Sequence, residues 1–412
     1  MKINKYFPFA FLYFFLNSFA LPFGLTYTAI LAPFFYIWIL MGRKKEIILP
    51  FITVLAPFVI VHLFYDDISR KVYFYSLVNL VLVYIFCQAV YTFLKDCNDV
   101  ERIFSKLLAF NTAFCLVAIV LYFTPWQYLL WYEQNLTEGV SNFRRLKLLT
   151  YEPSYYATLL VPIFCFYTLQ YLFRQNQIRG RLLLPMIVLP FLLSFSFGVI
   201  AALFVSALLT YLLYFRSLTK RRRVFNSVVF AGSFSLMASS IIYYFFRNSF
   251  LMRRLINIVS GNDTSGNGRT SDAFVLARKM LATRNEFWGI GPGQIKIIGG
   301  TILRNYYLYS GEFVATIPNA TAETLAIFGW VGLSMRIFIE IFLFFYTKVW
   351  TNYYRLWLYL FVFIYQFTGS FITNVAEYVI WIFAFTNVFR HFDVVKRESF
   401  SHAIPLLQPT VE

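Results

Sequence analysis

The stretch VYFYSLVNLVLVYIFCQAVYTFL, residues 72–94, contains no charged side chain and none of the apolar–polar alternation of a half-buried strand. It exceeds the ~20 apolar residues needed to cross a hydrocarbon core of ~30 Å, and in lipid a helix satisfies its own backbone polar groups. Similar runs lie on either side of it, at 6–23, 25–41, 47–65, 105–123, 155–173, 182–197, 199–215, 224–246, 323–346, 355–371 and 375–390. Together they predict an all-α polytopic membrane protein of about twelve transmembrane helices, forming a single transmembrane domain over 1–412. The run 182–215 is too long for one crossing, and Ser194, Ser196 and Gly198 at its middle predict a tight hairpin there.

Composition points the same way. Of 412 residues, 59% are hydrophobic and only 13% charged, where a soluble chain carries about a quarter charged residues. The net charge of +17 does not indicate nucleic-acid binding, because most cations sit just outside the apolar runs, where they orient helices and meet anionic lipid. Basic residues mark alternate loops: Arg43, Lys44 and Lys45; Lys95, Arg102 and Lys106; Arg174, Arg179 and Arg181; Arg216 and Lys220 to Arg223; Lys348 and Arg355; Arg390, Lys396 and Arg397. By the positive-inside rule both termini face the cytoplasm. Lys2, Lys5 and Ser18-Phe19-Ala20 imitate a cleaved signal peptide, but a retained first helix preserves the alternation of charge. Cys87, Cys97, Cys115 and Cys165 read as apolar fillers, and no Cys/His group has metal-ligand spacing, so neither a disulfide nor a metal is expected.

Two expected extracytoplasmic segments break this scheme. The first, 124–154, carries Arg144, Arg145 and Lys147, then Glu152-Pro153 at the entrance to a helix. The second, 247–321, is the longest polar stretch and includes Arg247, Arg253, Arg254, Arg269, Arg278, Lys279, Arg284, Lys296 and Arg304. Arginine is a planar, permanently charged donor to phosphate oxygens, so such clusters beside a membrane suit a lipid-linked diphosphate. The competing reading is that they snorkel to headgroups or cap helices. Within the second segment, Thr270 or Ser271 can cap an amphipathic helix through Arg284, with Phe274, Leu276, Ala277, Met280 and Leu281 as its apolar stripe, suited to the membrane interface. Trp288-Gly289-Ile290-Gly291-Pro292-Gly293 follows, where glycines permit positive φ and close backbone approach. Glu152 is either a favourable charge at a helix N-terminus or a general base for a sugar hydroxyl, and Glu323 and Glu377 are rival carboxylates. Glu340, deeper in its run, reads as a helix-packing partner.

Three blocks together resemble the bacterial O-antigen polymerase and O-antigen ligase superfamily. They are Tyr151-Glu152-Pro153-Ser154-Tyr155-Tyr156-Ala157; Arg269 and Arg278 followed by Gly289-Ile290-Gly291-Pro292-Gly293; and Pro318-Asn319-Ala320-Thr321-Ala322-Glu323 with Gly329 and Gly332. Pro318 stands where the family has a histidine that acts on the acceptor in the ligases, which favours a polymerase over a ligase. The resemblance implies a fold similar to C-class membrane glycosyltransferases, with a large extracytoplasmic loop, in the bacterial inner membrane. It implies transfer of a growing glycan from undecaprenyl diphosphate onto a second undecaprenyl-diphosphate-linked repeat unit, without nucleotide sugar, cofactor or metal, and a polysaccharide chain-length regulator as partner. On this reading Arg269, Arg278 and Arg284 meet the leaving diphosphate, with Arg144 and Arg145 holding the acceptor's diphosphate. Glu152 orients or deprotonates the acceptor hydroxyl, Asn319 and Glu323 position sugar or loop, and Tyr155, Tyr156, Tyr306 and Tyr307 stack on sugar rings. The rivals are an O-antigen ligase transferring glycan to lipid A core, a lipid flippase or transporter, and an assembly subunit. A transporter would place ionisable groups or unwound helix at the bilayer midplane.

Overall fold

A computed structural model describes residues 6–21, 25–41, 48–134, 143–173, 179–219, 224–226, 264–308 and 315–394, with isolated positions between 233 and 261. In chain order the helices are α1 (Phe7–Phe11, continued by a π-helical turn Leu12–Leu16), α2 (Tyr27–Ile30), α3 (Ala32–Met41), α4 (Ile48–Leu63), α5 (Arg70–Asp96) and α6 (Val100–Leu121). A hairpin of β1 (Trp131–Gln134) and β2 (Phe143–Leu146) precedes α7 (Pro153–Leu172), α8 (Arg179–Leu193), α9 (Phe197–Leu213) and α10 (Phe215–Thr219). Then come α11 (Thr264–Asn267), α12 (Ser271–Leu281), α13 (Ile295–Tyr307), α14 (Ala320–Tyr346), α15 (Tyr353–Tyr365) and α16 (Val375–Phe385). Four of these, α5, α6, α7 and α14, are long and apolar enough to cross a membrane, and the protein is an α-helical membrane protein. The expected span 224–246 and the arginines 247, 253 and 254 lie wholly or mostly outside the described residues.

Short polar side chains set the helix starts. Asp99 Oδ1 accepts from Arg102 N at 3.1 Å, Asn352 Oδ1 from Arg355 N at 3.1 Å and Asn374 Oδ1 from Ala376 N at 3.0 Å, each supplying an acceptor to an otherwise unpaired first-turn donor. The 182–215 run divides at Ser194–Ser196, where Phe195 adopts φ 43° and Ser194 Oγ bonds back to Phe191 O. Helix α7 is buried on nearly every face and packs with α8, α9, α15 and α16, forming the interior. Other helices turn aromatic and aliphatic side chains outward: Phe338, Phe342 and Phe345 on α14 and Phe204, Leu208 and Leu212 on α9 are exposed, a surface that suits lipid and not water.

Two features depart from the sequence reading. The 124–154 segment contains strand as well as loop: Trp131 pairs with Leu146, Tyr132 with Arg145 and Glu133 with Arg144, so the chain is not wholly α. The hairpin is tied down by Trp131 Nε1 donating to Ala118 O at 2.8 Å. Arg355, read above as an orienting cation, is 3% exposed and spends its donors on Ala384 O, Thr347 O and Phe385 O, pinning together the ends of α14, α15 and α16.

The segment joining α12 to α13 sets the architecture around α14. Helix α14 is broken at Gly329, whose φ of 66° and ψ of −166° interrupt the helical ladder. Trp330 N and Val331 N donate to Glu286 O and Phe287 O at 3.0 and 3.1 Å, while Ala326 O and Ile327 O accept from Ile290 N and Gly291 N at 2.9 and 3.0 Å. The loop thus supplies the partners that the break removes. Contact is reciprocal: a Cβ at Gly289 would lie 2.3 Å from Ile327 O, and one at Gly329 would lie 2.3 Å from Phe287 O. His62 of α4 reaches Trp288 O through Nε2 at 2.8 Å; a carbonyl only accepts, so Nε2 holds the proton and Nδ1 accepts from Tyr73 Oη at 3.3 Å. Ala273, Leu276, Ala277, Met280 and Leu281 of α12 are buried against α13 and α14, so the amphipathic stripe faces protein where the sequence suggested a membrane interface.

Candidate functional site

The entrance to α7 is built from its sequence outward. Pro153 occupies the first turn, where its fixed φ fits and its missing N–H costs nothing, and Glu152 before it is extended at φ −149° and ψ 155°. Glu152 is half-buried, and its Oε1 accepts from Ser154 Oγ at 2.5 Å. Beside it, burial and then the Glu152 charge hold the Tyr151 phenol well above its ordinary pKa, so a neutral hydroxyl adjoins the carboxylate. The end of α1 braces this entrance: Ser18 Oγ accepts from Tyr151 N at 3.1 Å, and Asn17 Nδ2 donates to Tyr155 Oη at 2.7 Å. Tyr155 is buried with its ring against Tyr151, centroids 4.9 Å apart, and Tyr156 is buried with its hydroxyl donating to Asn111 at 2.8 Å. Both tyrosines therefore shape the wall of the entrance.

Tyr365, the last residue of α15, links Arg269 electrostatically to this entrance. The Tyr365 hydroxyl lies within electrostatic reach of Arg269, Glu152 and Glu377 and interacts with Thr158 on α7. Asn319 holds Arg269 in place from behind. Its Nδ2 donates to Arg269 O and to Phe367 O, each at 2.7 Å, while its Oδ1 accepts from Ala322 N at 2.8 Å and caps α14. One side chain, fully buried, thus ties three chain segments together and is saturated in doing so. The Arg269 guanidinium is half-buried and has no ion-pair partner among the described residues. A carboxylate and a cation without an ion-pair partner, both within electrostatic reach of one hydroxyl, can orient a neutral hydroxylic group and receive a negatively charged one.

The other predicted arginines go elsewhere. Arg284 donates from Nη1 to Ile290 O at 3.0 Å and from Nη2 to Asp67 O at 2.6 Å, and partial burial lowers its pKa from the usual arginine value. Arg145 Nε donates to Ser194 O at 3.0 Å, joining the hairpin to the α8–α9 turn. Arg144 lies over the Tyr122 ring at 5.5 Å, opposite Glu133 in the hairpin register. Arg278 is exposed on α12, 5.9 Å from the Trp330 ring centre and so beside the α14 break. Tyr306 and Tyr307 both donate to the Asp272 carboxylate, at 3.1 and 3.2 Å.

Glu323, on the first turn of α14, accepts from Ile372 N through Oε2 at 2.6 Å, and Arg336, Glu377 and Lys296 lie within electrostatic reach of it. This leads to a buried cluster whose cation, Arg336, the sequence reading did not name, although it read Glu340 as a helix-packing partner and Glu377 as a candidate carboxylate. Arg336 Nε donates to Glu340 Oε1 at 3.1 Å and Gln366 Oε1 at 2.9 Å, and Nη2 to Glu377 Oε1 at 2.5 Å. A signal was present: Arg336 and Glu340 stand four apart inside an apolar helix, where an ionisable residue needs a partner. The cluster forms part of the wall of an otherwise apolar cavity of about 460 Å³ lined by α4, α5, α14 and α16, including Phe58, Leu80, Phe328 and Trp381. No three-residue group of His, Cys, Asp or Glu among the described residues could hold a metal ion.

No protein-family model, curated protein or solved structure matches the chain.

Proposed function

We infer that this chain is a polymerase of surface glycans, an O-antigen polymerase in kind, acting on the extracytoplasmic side of a bacterial inner membrane with both termini in the cytoplasm. The observation that carries this reading is that Glu152 and Arg269, from separate sequence blocks, both lie within electrostatic reach of the Tyr365 hydroxyl. In the reaction, Glu152 takes the proton of an acceptor hydroxyl on one undecaprenyl-diphosphate-linked repeat unit. The hydroxyl oxygen bonds to the anomeric carbon of the donor glycan, the bond from that carbon to diphosphate oxygen breaks, and the second undecaprenyl diphosphate leaves. Arg269, with Arg278 arriving from α12, faces the charge that gathers on the leaving group. General-base and charge-stabilising residues each contribute roughly 10²- to 10⁴-fold.

The test is the surface-glycan ladder of a strain lacking the gene and complemented with wild type, Glu152→Gln or Arg269→Ala, with expression verified. Restoration of the ladder by wild type and single-repeat product from the variants supports the polymerase. Long lipid-linked polymer accumulating in the null strain would instead identify a ligase, and loss of the repeat unit from the outer face a flippase. The flippase or transporter reading has its own support: a helix interrupted at Gly329 above a buried Arg336–Glu340–Glu377 cluster is the kind of element transporters use.

A further inference from the structure

The charges buried among α14, α15 and α16 do not balance, and the hydrogen bonds around them locate the imbalance. Among the described residues Arg336 alone is bonded to two carboxylates, Glu340 on its own helix and Glu377 on α16; the three side chains are 12%, 9% and 1% exposed. Both oxygens of Glu340 are satisfied, Oε1 by Arg336 and Oε2 by Gln366 Nε2 at 2.7 Å. Glu377 is different. Its Oε1 accepts from Arg336, but its Oε2 is buried and makes no hydrogen bond. The side chains of Ser370 and Trp381 approach that carboxyl, but neither makes a hydrogen bond to Oε2. An ionised oxygen in such a position has lost water and gained no donor, whereas a protonated one carries no charge to solvate.

We propose that Glu377 is a proton-binding site: in the resting protein its Oε2 holds a proton, and the ionised pair is Arg336 with Glu340. Glu323 accepts from Ile372 N and lies within electrostatic reach of Arg336 and, more weakly, Lys296, and Glu340, Gln366 and Thr324 complete the guanidinium's shell. The other titratable neighbours, Tyr365 on α15 and Tyr378 beside Glu377, with Cys87 of α5 near Tyr378, are neutral phenols and a thiol. The site has two states. Protonated, Glu377 still accepts from Arg336 through the neutral carboxyl's Oε1, and the charge pair is Arg336 with Glu340 on α14; deprotonated, Glu377 competes as a second anion for the cation it already touches, across α14 and α16. Arg336 and Glu340 lie past the break at Gly329 in α14, and Glu377 lies in the first turn of α16.

Infrared spectroscopy of the purified, lipid-reconstituted protein at neutral pH tests this directly. The expected result is a protonated-carboxyl carbonyl band that shifts on exchange into deuterium oxide. The band is lost in Glu377→Gln, lost also in Glu340→Gln because Arg336 then requires the Glu377 carboxylate, and kept in Glu323→Gln. Absence of the band from wild type, or its persistence in Glu377→Gln, overturns the proposal. Melting curves confirm that the variants fold. Should Glu377→Gln not fold, wild-type protein in membranes is treated with a lipid-soluble carbodiimide, whose C=N bond adds the O–H of a protonated carboxyl, and the adduct is mapped by peptide mass. An adduct on Glu377 supports the site, and an adduct on Glu340 with none on Glu377 overturns it.

Discussion

Two stretches of the same long segment, 284–294 and 266–272, carry similar residues and do opposite things with them. In the first, Arg284 is held by two backbone carbonyls, Gln294 exchanges hydrogen bonds with the backbone of Ser69, and Gly289 lies in backbone contact with α14. In the second, Arg269 is fixed through its backbone by Asn319, and its guanidinium is uncommitted among the described residues. An arginine whose donors end on carbonyls is part of the scaffold, while one fixed from behind with its charge free is available to a ligand. Sequence alone gives both the same reading.

The comparison breaks first at the glycines. Gly289→Ala combines a φ of 81° with a collision against Ile327 O, and the expected loss is about 4 kcal/mol or more, read as collapse of folded yield and melting temperature in detergent. Gly300→Ala, on α13 with nothing within 4 Å of its added Cβ, is the control, expected to be neutral or to stabilise by up to ~1 kcal/mol. If both variants melt alike, the 284–294 segment is not locked to α14.

Arg284 and Arg269 sharpen the contrast by separating stability from activity. Arg284→Ala removes two charge-assisted bonds to carbonyls and should cost about 2 kcal/mol, discounted for its partial exposure, with Arg284→Lys recovering little because it lacks the two-pronged fork. Arg269→Ala should leave the melting temperature nearly unchanged while removing glycan chain growth. The reverse pattern would exchange the roles assigned to the two residues. Asn319→Asp is the finest test: it keeps the cap on α14 but replaces the donor to Arg269 O and Phe367 O by an acceptor, so a loss of about 1–3 kcal/mol is expected on melting.

The membrane class of the chain was legible because a run such as 72–94 has no alternative solvent. The glycine block at 289–293 was legible as a place of close approach, but its partner was not: nothing in the residues around Gly329 says that another backbone docks there. Arg336 was hidden for the opposite reason, since one charge in a long apolar helix barely alters its hydropathy, and the Gln366 and Glu377 that satisfy it come from other helices. The hairpin at 131–146 escaped because four-residue strands are too short to show a period. Of the candidate site, the Glu152 entrance was read correctly as a helix start, whereas the placing of Glu152 and Arg269 within electrostatic reach of one tyrosine depends on tertiary packing.

The break in α14 has a consequence for how the protein is made. An uninterrupted span enters lipid with its hydrogen bonds complete, but α14 alone would carry the unmet donors and acceptors of residues 326, 327, 330 and 331 into hydrocarbon, at several kcal/mol each. The residues that meet them, 286–291, precede α14 in the chain and leave the ribosome first. The broken form of α14 therefore requires that earlier segment docked against it.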